Sequence, residues 1–133
     1  MDGLQKLMTI LIIENDSADR SACRRFLETT GGYIIFEAED GKTGLDMAQQ
    51  LRPSCILLSL KLKDQSGLEV LVKLRDEAST AVTPVIMIST RIAKVVVDAA
   101  LSFGASHFLI KGKFDAAALI AAIRESVAAS TRQ

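Results

Sequence analysis

The sequence predicts an α/β protein: a parallel sheet with helices on both faces. Three observations lead there. Short apolar, β-rich runs alternate five times with helix-patterned segments. The runs are apolar throughout, as in strands buried on both faces. The joints between segments are short and carry Gly, Pro or helix-capping residues.

Met8 to Ile13 is the first apolar run and reads as a strand. Ser17 to Thr30 follows as a helix, with Ala22, Cys23, Phe26 and Leu27 on one face, and Gly31-Gly32 stops it. Tyr33 to Glu37 reads as the second strand, and Gly41 to Leu51 as a helix turning Leu45, Ala48 and Leu51 inward. Pro53 precedes the third strand, Cys55 to Ser59. Ser66-Gly67-Leu68-Glu69 has the spacing of a capping box, in which the serine caps a backbone N–H and the glutamate reaches back. It starts a helix running to about Glu77. Pro84 precedes the fourth strand, Val85 to Ser89. A helix over roughly Ala93 to Phe103 is closed by Gly104, and Ser106 to Ile110 is the fifth strand. Asp115 caps the last helix, Phe114 and Leu119 stand at the positions of a hydrophobic staple, and the alanine-rich stretch beyond is strongly helix-forming until it frays over Ser130 to Gln133.

Strict β-α alternation with short loops implies right-handed crossovers within one sheet. Five such units suit a flavodoxin-like, doubly wound fold of strand order 2-1-3-4-5, read as one domain over residues 1–133 with its core at about 7–129. In such sheets ligands bind in the crevice beyond the carboxyl ends of the strands. The residues placed there are Glu14 to Asp16, Ser59 to Lys61, Ser89-Thr90 and Lys111.

Bulk properties narrow the function classes. Sixteen basic residues balance sixteen acidic ones, so no electrostatic footprint for nucleic acid or an anionic membrane is present, and no direct nucleic-acid partner is expected. No apolar run approaches the ~18 residues of a membrane span, and no signal-peptide pattern opens the chain, so no membrane insertion and a cytoplasmic location are expected. Cys23 and Cys55 lie in apolar segments without metal-type spacing and read as core thiols. His107 lacks neighbouring ligand residues and reads as a structural or surface residue.

Four segments carry a family resemblance. Ile12-Ile13-Glu14-Asn15-Asp16 resembles the acidic cluster after the first strand of response regulator receiver domains, the phosphoryl-accepting modules of two-component signalling. Leu57-Leu58-Ser59 through Ser66-Gly67 resembles their phosphoacceptor segment, with its glycine eight residues beyond the acceptor. Pro84-Val85-Ile86-Met87-Ile88-Ser89 is similar to the fourth strand and its switch hydroxyl. Gly104-Ala105-Ser106-His107-Phe108-Leu109-Ile110-Lys111 is similar to the fifth strand with its switch aromatic and lysine. The resemblance implies phosphoryl transfer to an aspartate assisted by Mg²⁺, with a lysine and a hydroxyl holding the phosphoryl oxygens.

This chain departs from that pattern. Ser59 stands at the phosphoacceptor position and Asn15 where the more direct metal-binding aspartate is expected; Glu14 is an accepted variant at the first acidic position. Asp16 either adds to a metal site or caps the first helix, and capping is the favoured reading. Ser89, Phe108 and Lys111 match the switch hydroxyl, aromatic and lysine. Lys63 replaces a frequent proline of the acceptor loop, and Gly112 the proline after the lysine, which makes a trans Lys-Gly bond and a rebuilt loop the expectation. With two acids gone and Lys111 available to neutralise Glu14, Mg²⁺ binding is expected to be weak or absent and no other cofactor is implied. Serine forms no acyl phosphate, and its hydroxyl needs a general base that the motif does not supply.

The leading expectation is therefore a pseudo-receiver: a signalling module, not an enzyme, that binds a sensor kinase, an effector or another signalling protein without aspartyl phosphorylation. Alternatives are a receiver regulated at Ser59 by a serine kinase or through Asp64, and a flavin-binding protein or small enzyme on the same fold. Asp64 otherwise reads as a solvated turn residue, and the acidic Glu14-Asn15-Asp16 disfavours a phosphate after strand one. Val95-Val96-Val97 are consecutive on helix four, so they form either a wide apolar stripe or scattered exposed side chains, or else an apolar patch on the helix 4–strand 5–helix 5 face, where a homodimer would form. The few residues after the last helix hold no DNA-binding output domain, so output is expected to pass through a partner.

Overall fold

The apolar runs become strands, and the sheet they form sets where each loop ends. The computed structural model describes residues 7–91 and 93–131. In chain order these form β1 (Met8–Ile13), α1 (Ser17–Thr30), β2 (Tyr33–Ala38), α2 (Gly41–Leu51), β3 (Cys55–Ser59), α3 (Gly67–Asp76), β4 (Val85–Ser89), α4 (Lys94–Ser102), β5 (His107–Ile110) and α5 (Ala116–Thr131). All strands are parallel, in the order β2-β1-β3-β4-β5 that the sequence predicts. Boundaries differ by a residue: β2 continues to Ala38, α4 is a residue shorter at each end, and β5 begins at His107. The fraying expected toward Gln133 lies partly outside the described residues.

Side chains alternate across a strand, so each central strand feeds two cores. Leu11, Ile13, Ile56, Leu58, Val85 and Met87 pack with Ala48 of α2, Val70, Leu71 and Leu74 of α3, and Ala100 of α4. Ile10, Ile12, Cys55, Leu57, Ile86 and Ile88 pack on the other face with Cys23 and Leu27 of α1 and Leu119 and Ile123 of α5. Both strand faces being buried explains why these runs carry no polar alternation. Burial pushes the Cys23 thiol up to about 11, with Glu14 and Asp19 adding to the effect, and burial alone pushes Cys55 to about 12, so both remain protonated core residues.

The helix starts are chemically specified. Asp16 Oδ1 accepts from Asp19 N–H at 2.9 Å, and Asp40 Oδ1 from Thr43 N–H at 2.7 Å. Asp115 Oδ1 accepts from Ala118 N–H at 2.9 Å, while Phe114 packs edge-on against Phe26, ring centroids 5.9 Å apart. Ser66 Oγ accepts from Leu68 N–H at 3.1 Å, so the serine half of the expected capping box forms; a return bond from Glu69 is not among the hydrogen bonds of the described residues. Helix α4 differs: its N-cap, Ala93, has no side-chain acceptor, and Ala100 is its one buried residue among those described.

The start of α3 lies directly on the end of β3. Gly67 N–H donates to the Leu60 carbonyl at 2.7 Å, and a Cβ at Gly67 would stand 2.2 Å from the Ser59 carbonyl oxygen. Gly67 therefore sets the approach of α3 to the crevice, because the obstructing atom is backbone. Gly67→Ala is expected to destabilise the fold by about 1–3 kcal/mol, the usual range for overpacking. Urea denaturation at neutral pH checks it; an unchanged midpoint would contradict the close approach.

Candidate functional site

The carboxyl ends of β1, β3 and β4, with the residue after β5, surround a cavity of about 560 Å³. Asn15, Asp16, Ser59, Ser89 and Lys111 line it together with Asp19, Lys61, Lys63 and Thr90. Glu14 lies behind this lining, only 5% exposed. Phe108 does not line the cavity; it is half-buried against the core on the α2–α4 side. Asp19 was missed by reading the sequence, although its place in the first turn of α1, just after the β1 crevice residues, was a usable signal.

Charge in the pocket is balanced from within. Lys111 Nζ lies 2.6 Å from Glu14 Oε1 and 2.8 Å from Asp19 Oδ2. Burial works against the ammonium, but hydrogen bonds and charge from Asp19 and Glu14 outweigh it and hold Lys111 above its ordinary range. Glu14 Oε2 also accepts from Asp16 N–H at 3.1 Å. Asp16 itself caps α1 from the rim of the cavity.

Asn15 and Ser59 converge on one acceptor. The neighbours of the Asn15 amide are acceptors, which orients Nδ2 toward them; it donates to the Lys61 carbonyl at 2.9 Å and to Glu14 Oε2 at 3.3 Å. Ser59 is 2% exposed, and its Oγ donates to the same Lys61 carbonyl at 3.3 Å. A Mg²⁺ ion needs several oxygens free to face it. Here the Glu14 carboxylate already holds Lys111, the Lys61 carbonyl receives two donors, and Asn15 and Ser59 present N–H and O–H groups. This donor set does not fit the metal site that the resemblance implies.

The β4 and β5 ends are tied by Lys111 N–H donating to the Ser89 carbonyl at 2.8 Å, while the buried Ser89 Oγ accepts from Arg91 N–H at 3.3 Å. Gly112 has φ 75°, a left-handed conformation that proline, fixed near −65°, cannot adopt. No peptide bond among the described residues is cis. The loop after β5 is thus shaped by glycine.

Asp64 is exposed in its loop, as the sequence suggests, and its carboxylate oxygens also accept from Gly41 N–H and Lys42 N–H, each at 2.9 Å, clamping the β3–α3 loop to the start of α2. The helix turns Val95, Val96 and Val97 in different directions: Val95 is 80% exposed, whereas Val96 and Val97 are half-buried. His107 Nε2 stands 3.5 Å from Glu125 Oε2, away from the cavity.

The hydrogen bond from Gly41 leads in lowering Asp64 to about 2; desolvation opposes it, and the bonds from Lys42 and Gln65 add to the lowering. A carboxyl lowered on folding contributes stability that is complete above its unfolded value, near 3.8, and is lost as pH falls through about 2. Between those values the native chain is expected to lose more stability than Asp64→Asn, which is the weaker of the two at neutral pH. Denaturation midpoints across that window check it; parallel losses would contradict the clamp.

The fold has known counterparts. The profile of the response regulator receiver domain matches residues 10–124. The chain is 34% identical over 115 residues to the transcriptional regulatory protein CseB of Streptomyces coelicolor, covering 86% of this chain and 47% of that one. It is 37% identical over 108 residues to the KDP operon transcriptional regulatory protein KdpE of Escherichia coli K12, covering 79% and 45%. It thus spans about half the length of the curated relatives it matches. Among solved structures, a CheY-like receiver domain protein from Methanospirillum hungatei superposes with a TM-score of 0.85 at 24% identity, over 95% of this chain and 98% of that one. Chemotaxis protein CheY4 of Vibrio cholerae gives 0.83 at 22% identity, over 90% and 98%. With the profile spanning most of the strands and helices described above, the chain belongs to the response regulator receiver domain family.

Proposed function

We propose that this chain is a receiver-fold signalling module that acts by binding protein partners without aspartyl phosphorylation and without an enzymatic activity of its own. The observation that carries the reading is Ser59 at the buried end of β3, with its hydroxyl donated to the Lys61 carbonyl. A carbonyl cannot take the proton, so the hydroxyl is not activated for attack on phosphorus. Lys111, the cation that would meet a phosphoryl group, is engaged by Glu14 and Asp19.

The alternatives draw less support. A serine kinase would need to reach a residue that is 2% exposed. Asp64 is held against α2 and is absent from the cavity lining. A sensor kinase, an effector or a second copy of the chain are the partner classes, and α4 supplies exposed apolar side chains in Val95 and Leu101. Balanced charge argues against direct nucleic-acid binding. A cytoplasmic setting suits two buried free thiols.

Mixing the chain with acetyl phosphate and Mg²⁺ is expected to leave its intact mass unchanged. A stoichiometric, acid-labile phosphoryl adduct would overturn the reading.

A further inference from the structure

The crevice collects acceptors from two loops. The Glu14 carboxylate comes from the end of β1 and the Lys61 carbonyl from the start of the β3–α3 loop. A buried anion beside an inward-facing carbonyl needs compensation, either by a bound cation or by donors belonging to the protein. Three donors are in place: Lys111 Nζ on Glu14 and Asp19, Asn15 Nδ2 on the Lys61 carbonyl and on Glu14, and Ser59 Oγ on the Lys61 carbonyl.

We infer that Asn15 and Ser59 together replace a divalent cation, bracing the β1–α1 loop to the β3–α3 loop through their shared acceptor, the Lys61 carbonyl. This rests on the proposed function only in taking Ser59 as a hydrogen-bond donor and not a phosphoacceptor. Aspartates at positions 15 and 59 would place like charges beside Glu14, which a cation would have to offset. Asn15 and Ser59 remove both charges and supply N–H and O–H groups in their stead. The loop is also held at its far end, by Asp64 on α2 and by Gly67 N–H on the Leu60 carbonyl. Residues 60–67 are therefore bracketed without metal. The two substitutions form one device: each donor completes the same carbonyl, so removing one alters what the other contributes.

Thermal unfolding of the full chain and its variants, in EDTA and in millimolar MgCl₂, tests this. The native chain is expected to melt at the same temperature in both. Asn15→Asp should melt several degrees lower in EDTA and recover in MgCl₂, because a second carboxylate then faces Glu14 and attracts the cation. Asn15→Ala should fall in EDTA without recovering. Equal stabilisation of the native chain and Asn15→Asp by MgCl₂, or an unchanged melting temperature for both variants in EDTA, would overturn the inference. If Asn15→Asp is too unstable to read, a cycle of Asn15→Ala, Ser59→Ala and the double variant decides. A double loss different from the sum of the single losses supports the shared acceptor; strict additivity overturns it. A phosphoryl adduct on the native chain would sink the proposed function while leaving the magnesium comparison readable, so the two failures are distinguishable.

Discussion

A buried carboxylate has to be compensated, and the pocket is organised around that requirement at Glu14. Only 5% of Glu14 is exposed, so water contributes little to stabilising its charge. Lys111 answers Oε1 at 2.6 Å, and the Asp16 and Asn15 N–H groups donate to Oε2. Removing one partner from such a pair typically costs about 3–5 kcal/mol, because the other charge stays behind uncompensated. The Lys111 ammonium therefore also acts as a tie, joining the end of β5 to β1 and to Asp19 of α1.

The strand order makes this possible. Placing β1 between β2 and β3 opens a crevice where the chain reverses direction across the sheet, and every strand delivers its carboxyl end to the same edge. Alternation along each strand then puts purely apolar side chains into two cores, leaving the polar chemistry to the residues just beyond the strand ends. Close packing of Gly67 on β3 and the Asp64 clamp on α2 hold the intervening loop. The result is a receiver scaffold whose β3–α3 loop is held at both ends by the protein's own groups. Helix α4, with no side-chain N-cap, with Val95 exposed and with Ala100 as its one buried residue among those described, is the helix least constrained by burial.

Most of the architecture was legible because its signals are local. Apolar runs, Gly31, Pro53, Pro84 and the caps at Asp16 and Asp115 each act within a few residues, so strand order and helix limits could be read nearly to the residue. The crevice positions Glu14, Asn15, Ser59, Ser89 and Lys111 were legible because the fold class itself says where strands end. What escaped depends on distance along the chain. Asp19 meets Lys111 across 92 positions and Asp64 meets Gly41 across 23, separations at which no periodicity or spacing speaks. The direction of the Asn15 amide depends on which atoms surround it, and the sorting of Val95 from Val96 and Val97 on how α4 lies on the sheet. Phe108, assigned by its place in the strand, lies half-buried against the core on the α2–α4 side.

The central claim is that the pocket is complete without a cation. Two-dimensional ¹H–¹⁵N spectra of the native chain, titrated with MgCl₂ and then with beryllofluoride, test it most directly. The account predicts no saturable shift at residues 59–67, Asn15 or Lys111. Saturable shifts centred on Ser59, Lys61 and Lys111 would contradict it.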